Sequence, residues 1–182
     1  MNLVLTNEKW LLILVNIVFG AVLLFSYYKY INFGGVDLKT LWGKAYSVKK
    51  LYLASIYLAA LAYLLLLFFA IFKTVNTKRN NAILSNLTII QVLIIVISML
   101  WLPLTLVYLK EGKKPFAMLA VLIVLFIVGI ASFKQIKLIQ NLVSENTQCA
   151  KMTQQAAVVG AGIFFIHTFF FDFIGWSCGF FA

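Results

Sequence analysis

The chain has 182 residues, of which 64% are hydrophobic and only 11% charged, with a formal net charge of +10. A soluble domain keeps roughly a quarter of its residues charged to face water, so this composition excludes a water-soluble globule and leaves room for one membrane domain. The fifteen Lys and Arg are divided among tails and loops between apolar runs, where lipid headgroups sit, and no stretch interleaves basic and aromatic residues as a nucleic-acid binder would, which sets nucleic acid aside as a partner.

Five apolar runs reach the roughly 20 residues needed to cross a 30 Å hydrocarbon core. An unpaired peptide group in lipid costs several kcal/mol, so each run must be a helix. The expected fold is therefore all-α, a polytopic membrane helix bundle of five transmembrane helices forming a single membrane domain over 1–182.

The first helix is predicted from Trp10 to about Tyr28. It lacks a small-residue cleavage site, with Phe25, Tyr27 and Tyr28 where one would stand, so it reads as a retained helix and not as a signal peptide. After Gly34-Gly35, Asp37 is placed to cap a helix start. Leu38, Leu41, Trp42, Ala45 and Tyr46 then recur at helical spacing opposite Lys39, Thr40, Lys44 and Ser47. That pattern predicts a short interfacial helix over about 37–47, with Trp42 and Leu41 toward lipid and the lysines toward phosphate.

The second helix is predicted over Leu51–Phe72, the third over Leu87–Leu109 and the fourth over Pro115–Phe133. Ile136, Ile139 and Val143 keep the helical period among polar residues, so the fourth should extend out of the bilayer to about residue 143. The fifth is predicted from Ala156 to about Phe181. Asn86-Leu87-Thr88 matches a glycosylation sequon but lies at the membrane edge.

Lysines punctuate the ends of the runs, and Trp10, Tyr27, Tyr28, Tyr30, Tyr52 and Tyr108 sit at headgroup depth. Lys9, Lys73, Lys78, Arg79, Lys134, Lys137 and Lys151 fall on one face. Lys29, Lys39, Lys44, Lys49, Lys50, Lys110, Lys113 and Lys114 fall on the other. Seven against eight gives no orientation by the positive-inside rule.

Asp172 is the one acidic residue inside an apolar run and His167 the one histidine. An ionisable group at membrane depth is a functional-site hypothesis by default, although Asp172 would be merely interfacial if the fifth helix begins late. Thr168, Asp172 and Trp176 are spaced four apart and share a face of an α-helix. His167 and Asp172 are five apart, roughly 140° around an α-helix, and are not expected to face each other. His167 alone is more often a hydrogen-bonded bundle residue than a metal ligand.

The third helix carries a polar seam of Gln91, Ser98 and Thr105, flanked by Trp101 and Tyr108. Pro103 cannot donate to the carbonyl of Met99 and should kink the helix. The seam either lines a cavity or makes interhelical hydrogen bonds, worth about 0.6 kcal/mol each. Small residues at Asn16 and Gly20, at Ser55, Ala59 and Ala62, and at the pairs Ala156/Gly160 and Ala157/Ala161 mark close-packing faces, which could also serve a homo- or hetero-oligomer. Cys149 and Cys178 fall either side of the last run and are not expected to form a disulfide. No motif for prenyl transfer, intramembrane proteolysis, haem ligation, thiol redox chemistry or potassium selection is present. The sequence thus leads us to expect neither an enzyme nor a bound metal or cofactor.

Five helices, a first loop holding a short helix, Leu41-Trp42 followed by Tyr46, and Trp101-Leu102-Pro103 late in the third helix resemble the translocator protein, or tryptophan-rich sensory protein, family. The resemblance implies a five-helix fold, a first loop that lids a cavity, and porphyrin or sterol binding. The sequence departs from the family in having no proline before Pro103, in Ser98 where an asparagine precedes the tryptophan, and in Thr105 where an aromatic follows the proline. The functional expectation is non-enzymatic binding or transport of a lipophilic or amphipathic small molecule, with Trp42, Trp101, Thr105, Asp172 and Trp176 as ligand contacts. The alternatives are an accessory subunit of a larger membrane complex, using the aromatics Phe164, Phe165, Phe169, Phe170 and Phe171 as its partner surface, and a proton-coupled carrier using Asp172.

Overall fold

A computed structural model of the chain describes residues 5–112 and 114–181, with only the backbone of Leu38, Ala45, Phe180 and Phe181. Lys113 and the side chains of Leu38 and Ala45, which entered the charge count and the apolar face of the first-loop helix, lie outside the described residues.

Among the described residues the elements run α1 (Asn7–Phe33), α2 (Leu38–Trp42), a 3₁₀ turn (Gly43–Val48), α3 (Lys49–Phe72), α4 (Lys78–Lys110), α5 (Pro115–Asn141), α6 (Gln148–Phe165), a π-helical segment (Ile166–Trp176) and α7 (Ser177–Phe181). Five helical stretches of 27 to 33 residues are long and apolar enough to cross a membrane. At 1.5 Å per residue they measure roughly 40–50 Å against a hydrocarbon core of about 30 Å, so their ends emerge from it.

This explains why the helices outrun the apolar windows of the sequence. Once nucleated, a helix continues through polar flanks until a cap stops it. Thus α4 begins at Lys78, where the side chain of Thr77 accepts from Asn80 N, and α6 begins at Gln148, where Thr147 does the same for Ala150 N. Thr6 caps α1 in the same way, and Pro115 occupies the first turn of α5. The first-loop helix is the exception, because it is shorter than its pattern suggests. Asp37 caps α2, but Gly43 adopts φ +54°. That left-handed backbone ends the α-helix at Trp42, and the chain continues as a 3₁₀ turn.

The chain is an integral, multi-pass membrane helix bundle. Ile17, Leu24 and Phe25 of α1 are 65%, 70% and 65% exposed. Apolar surface on this scale needs lipid as its solvent. Inside, α4 lies between α1 and α5, while α3 packs on α6 and α6 on α5. The small-residue faces meet within the chain. Ala59, Ala62, Ala157 and Ala161 are buried, and a Cβ added at Gly160 would lie 2.9 Å from the carbonyl oxygen of Ala62. The small residues of α3 and α6 are thus covered within the chain, whereas a Cβ at Gly20 of α1 would meet nothing within 4 Å among the described residues.

The two ends of the bundle are built differently. At the first end, an antiparallel bridge joins Thr74 to Ser144. Buried Asn80 donates to the carbonyls of Val75 and Val143 (both 2.8 Å) and accepts from Val143 N (2.9 Å). Lys9 Nζ donates to the carbonyl of Thr74 at 2.9 Å. At the opposite end, α2 and the 3₁₀ turn pack on α7.

Candidate functional site

The second end concentrates the aromatic residues. Trp101 stands edge-on to Trp176 at 5.3 Å and to Tyr27 at 5.9 Å. Trp42 meets Tyr52 at 5.2 Å, and Tyr52 meets Phe171 at 5.5 Å. These rings form a belt at the first-loop end of the bundle and bind the first loop, α1, α3 and α4 to the last span. Tyr52 also donates its hydroxyl to the carbonyl of Phe171 at 2.7 Å.

The polar seam of α4 is partly engaged in hydrogen bonds, while the buried Gln91 Nε2 and Trp101 Nε1 have no hydrogen-bond partner among the described residues. Gln91 is fully buried and accepts from Asn16 Nδ2, while Tyr63 donates to Asn16 Oδ1. One polar network thereby joins α1, α3 and α4. The carbonyl of Ser98 accepts from Tyr27 at 3.1 Å. Thr105 is fully buried and returns its hydroxyl to the carbonyl of Trp101 at 2.8 Å. Tyr108 is buried, and α4 continues helically through Pro103 to Lys110. Sequence reading took Asn16 only as a small residue; its polarity inside an apolar run was the signal available for this network.

The last span corrects one expectation. His167 Nε2 and Asp172 Oδ2 lie 3.5 Å apart, although α-helical geometry would place them on different faces. The reason is the π-helical winding of Ile166–Trp176. Its hydrogen bonds run from residue i to i+5, and the wider turn brings residues five apart to within about 50° of one another, against roughly 140° in an α-helix. The trio spaced at four meets three different surroundings. Thr168 is buried against α5, donating to Ser132 Oγ at 3.0 Å, and Trp176 is buried among the belt aromatics. Asp172 is directed instead to His167.

A third group completes the cluster. Ser55 Oγ lies 3.1 Å from His167 Nδ1 and 2.8 Å from the carbonyl of Tyr52, to which it donates. Ser55 and Tyr52 belong to the first two turns of α3, so Asp172 lies toward that end of the bundle. Ser55 was visible in the sequence only as a packing residue, because neither spacing nor composition links it to a histidine more than a hundred positions away.

Two clefts flank this cluster. One, about 450 Å³, is lined by Lys44, Val48, Tyr52, Phe170, Phe171, Gly175 and Gly179. The other, about 280 Å³, runs between α3 and the last span, with Ser55, Leu58, Ile163 and His167 among its walls. Phe171 borders both. Trp42, Trp101, Thr105, Asp172 and Trp176, expected as ligand contacts, stand beside the larger cleft or in the packed belt and do not form its walls. The phenylalanine run of the last span largely faces α5: Phe165 packs on Phe133, and Phe169 and Phe173 pack on Phe126. Among the described residues, no group of three or more His, Cys, Asp or Glu side chains could hold a metal ion.

No protein-family model matches the chain, and no significant match is found among curated proteins or solved structures. What the fold defines is the class: an integral membrane bundle of five helices long and apolar enough to span, with a short first-loop helix whose Leu41, expected toward lipid, is instead buried against the protein, and whose Trp42 packs on Tyr52.

Proposed function

We propose that this protein binds or carries a lipophilic or amphipathic small molecule, and that the larger cleft is where the molecule sits. The observation that supports this is the character of the cleft. Its roughly 450 Å³ falls in the range of small-molecule sites, which combine apolar walls with a few placed polar groups. Here the walls are Val48, Phe170 and Phe171, and the polar groups are Tyr52 and Lys44. Lys44 stands on the first loop at the headgroup level, suited to the polar end of an amphipathic molecule whose apolar part lies against the phenylalanines.

The test is a titration of the purified protein in detergent with a porphyrin and, separately, with a sterol, followed by tryptophan fluorescence. Trp42 and Trp176 pack against Tyr52, so occupancy should quench them saturably. Gly175→Ala should weaken binding, because the added Cβ would lie 2.8 Å from Tyr52 Oη and displace that wall. Trp101→Leu should weaken it less, by loosening Trp176. Absence of saturable quenching with both ligand classes refutes the reading.

A further inference from the structure

We propose that Ser55, His167 and Asp172 form a proton-binding relay in the last span, assembled by its π-helical winding and opening on the smaller cleft. The inference goes beyond ligand binding and does not require it. Its ligand is a proton arriving from the water at the first-loop end.

The geometry defines how the relay works. Ser55 has one hydroxyl proton and two acceptors within reach, the carbonyl of Tyr52 at 2.8 Å and His167 Nδ1 at 3.1 Å. The neutral imidazole has one N–H and one lone pair, and its tautomer is set by its partners. When Asp172 is a carboxylate, His167 presents Nε2–H to it, and the lone pair at Nδ1 accepts the Ser55 hydroxyl. When a proton binds Asp172, its O–H turns to the imidazole, and Nε2 becomes the acceptor. The exchange runs through both partners: Nε2 passes its proton to Asp172, Ser55 hands its hydroxyl proton to Nδ1 and takes the arriving proton from water in the smaller cleft, and Ser55 then accepts from Nδ1–H while donating to the carbonyl of Tyr52. One proton is gained at the carboxylate, one N–H bond is exchanged between ring nitrogens, and one hydroxyl rotates. The 3.5 Å separation of His167 and Asp172 needs to close by about half an ångström to make a hydrogen bond in either state.

Among the described residues, no lysine or arginine is paired with Asp172. The titratable side chains that feel the charge of Asp172 are Tyr27 of α1 and Tyr52 of α3, and Tyr52 also feels Cys178 of α7. Among the described residues, the salt bridge recorded for Asp172 is to His167. The π-helix itself is a second, independent pointer, since such windings are rare and gather at functional sites. An α-helical last span would hold the same side chains apart.

The chain contains a single histidine, so protein labelled with ¹⁵N-histidine and reconstituted in bilayers gives one imidazole to follow by NMR across pH. The expected result is a switch of neutral tautomer, Nε2–H at alkaline pH and Nδ1–H on proton loading. Asp172→Asn should abolish the switch and move the imidazole midpoint by about one pH unit or more. Ser55→Ala should remove the preference for one tautomer while leaving the midpoint coupled to Asp172. The wild-type spectrum decides even if a variant fails to fold: an imidazole exchanging between tautomers at every pH, or holding one tautomer throughout, overturns the proposal.

Discussion

Replacing Gly160 by alanine tests the packing of α3 on α6 at its closest point. The added methyl would lie 2.9 Å from the carbonyl oxygen of Ala62 and 3.4 Å from its Cα. Both atoms are backbone, so no side-chain rotation relieves the contact and the helices must separate. Overpacking of this kind costs about 1–3 kcal/mol, partly offset by the roughly 0.5–1 kcal/mol that alanine gains over glycine within a helix. Gly162 provides the internal control, because a Cβ there meets nothing within 4 Å. Gly162→Ala should therefore be neutral or slightly stabilising. Unfolding both variants by sodium dodecyl sulfate in mixed micelles, followed by circular dichroism, should place Gly160→Ala about 1–3 kcal/mol below Gly162→Ala. Equal stability of the two variants would refute the close helix approach.

Two further outcomes follow from the loops. Asn80→Ala removes three hydrogen bonds of a fully buried side chain that ties the α3–α4 connection to Val143. It should cost about 1–3 kcal/mol in the same unfolding assay, and an unchanged midpoint would contradict the tie. Asp37, in the first loop, has its carboxyl held below the usual carboxylate range, first by the Thr40 backbone N–H and then by the Thr40 hydroxyl. A depressed group stabilises above its unfolded pKa and loses that contribution as pH falls through its folded one. Amide exchange at Leu41 should thus quicken at acid pH in the wild type and be pH-insensitive, beyond intrinsic exchange, in Asp37→Ala. Matching profiles would remove the cap from the account.

The five spans were legible because a hydrocarbon solvent demands long uninterrupted apolar runs, and Leu51–Phe72 or Pro115–Phe133 leave no other option. The N-cap at Asp37 was legible as well, since capping is local chemistry. What escaped is what depends on hydrogen-bond register or on distant partners. Hydropathy does not distinguish i→i+4 from i→i+5 winding, so His167 and Asp172 were assigned to different faces. The Asn16–Gln91–Tyr63 network spans three helices, and no one of them reveals it alone. Asn80 lay ahead of the apolar window of its helix and drew no attention. Trp101, Thr105 and Trp176 are expected from the sequence as ligand contacts, whereas Trp101 and Trp176 meet edge to face in the packed belt and Thr105 is fully buried, because burial against distant helices is not written in local spacing.

Five crossings of a bilayer, with lipid as the solvent of the helices, set the first and fourth loops on opposite sides. Cys149, exposed just after the fourth loop, and a cysteine introduced at Ser47 in the first loop can be probed separately, in a Cys178→Ser background, with a membrane-impermeant maleimide on sealed, uniformly oriented vesicles. The account predicts that one of the two sites is labelled at once and the other only after permeabilisation. Immediate labelling of both would contradict it.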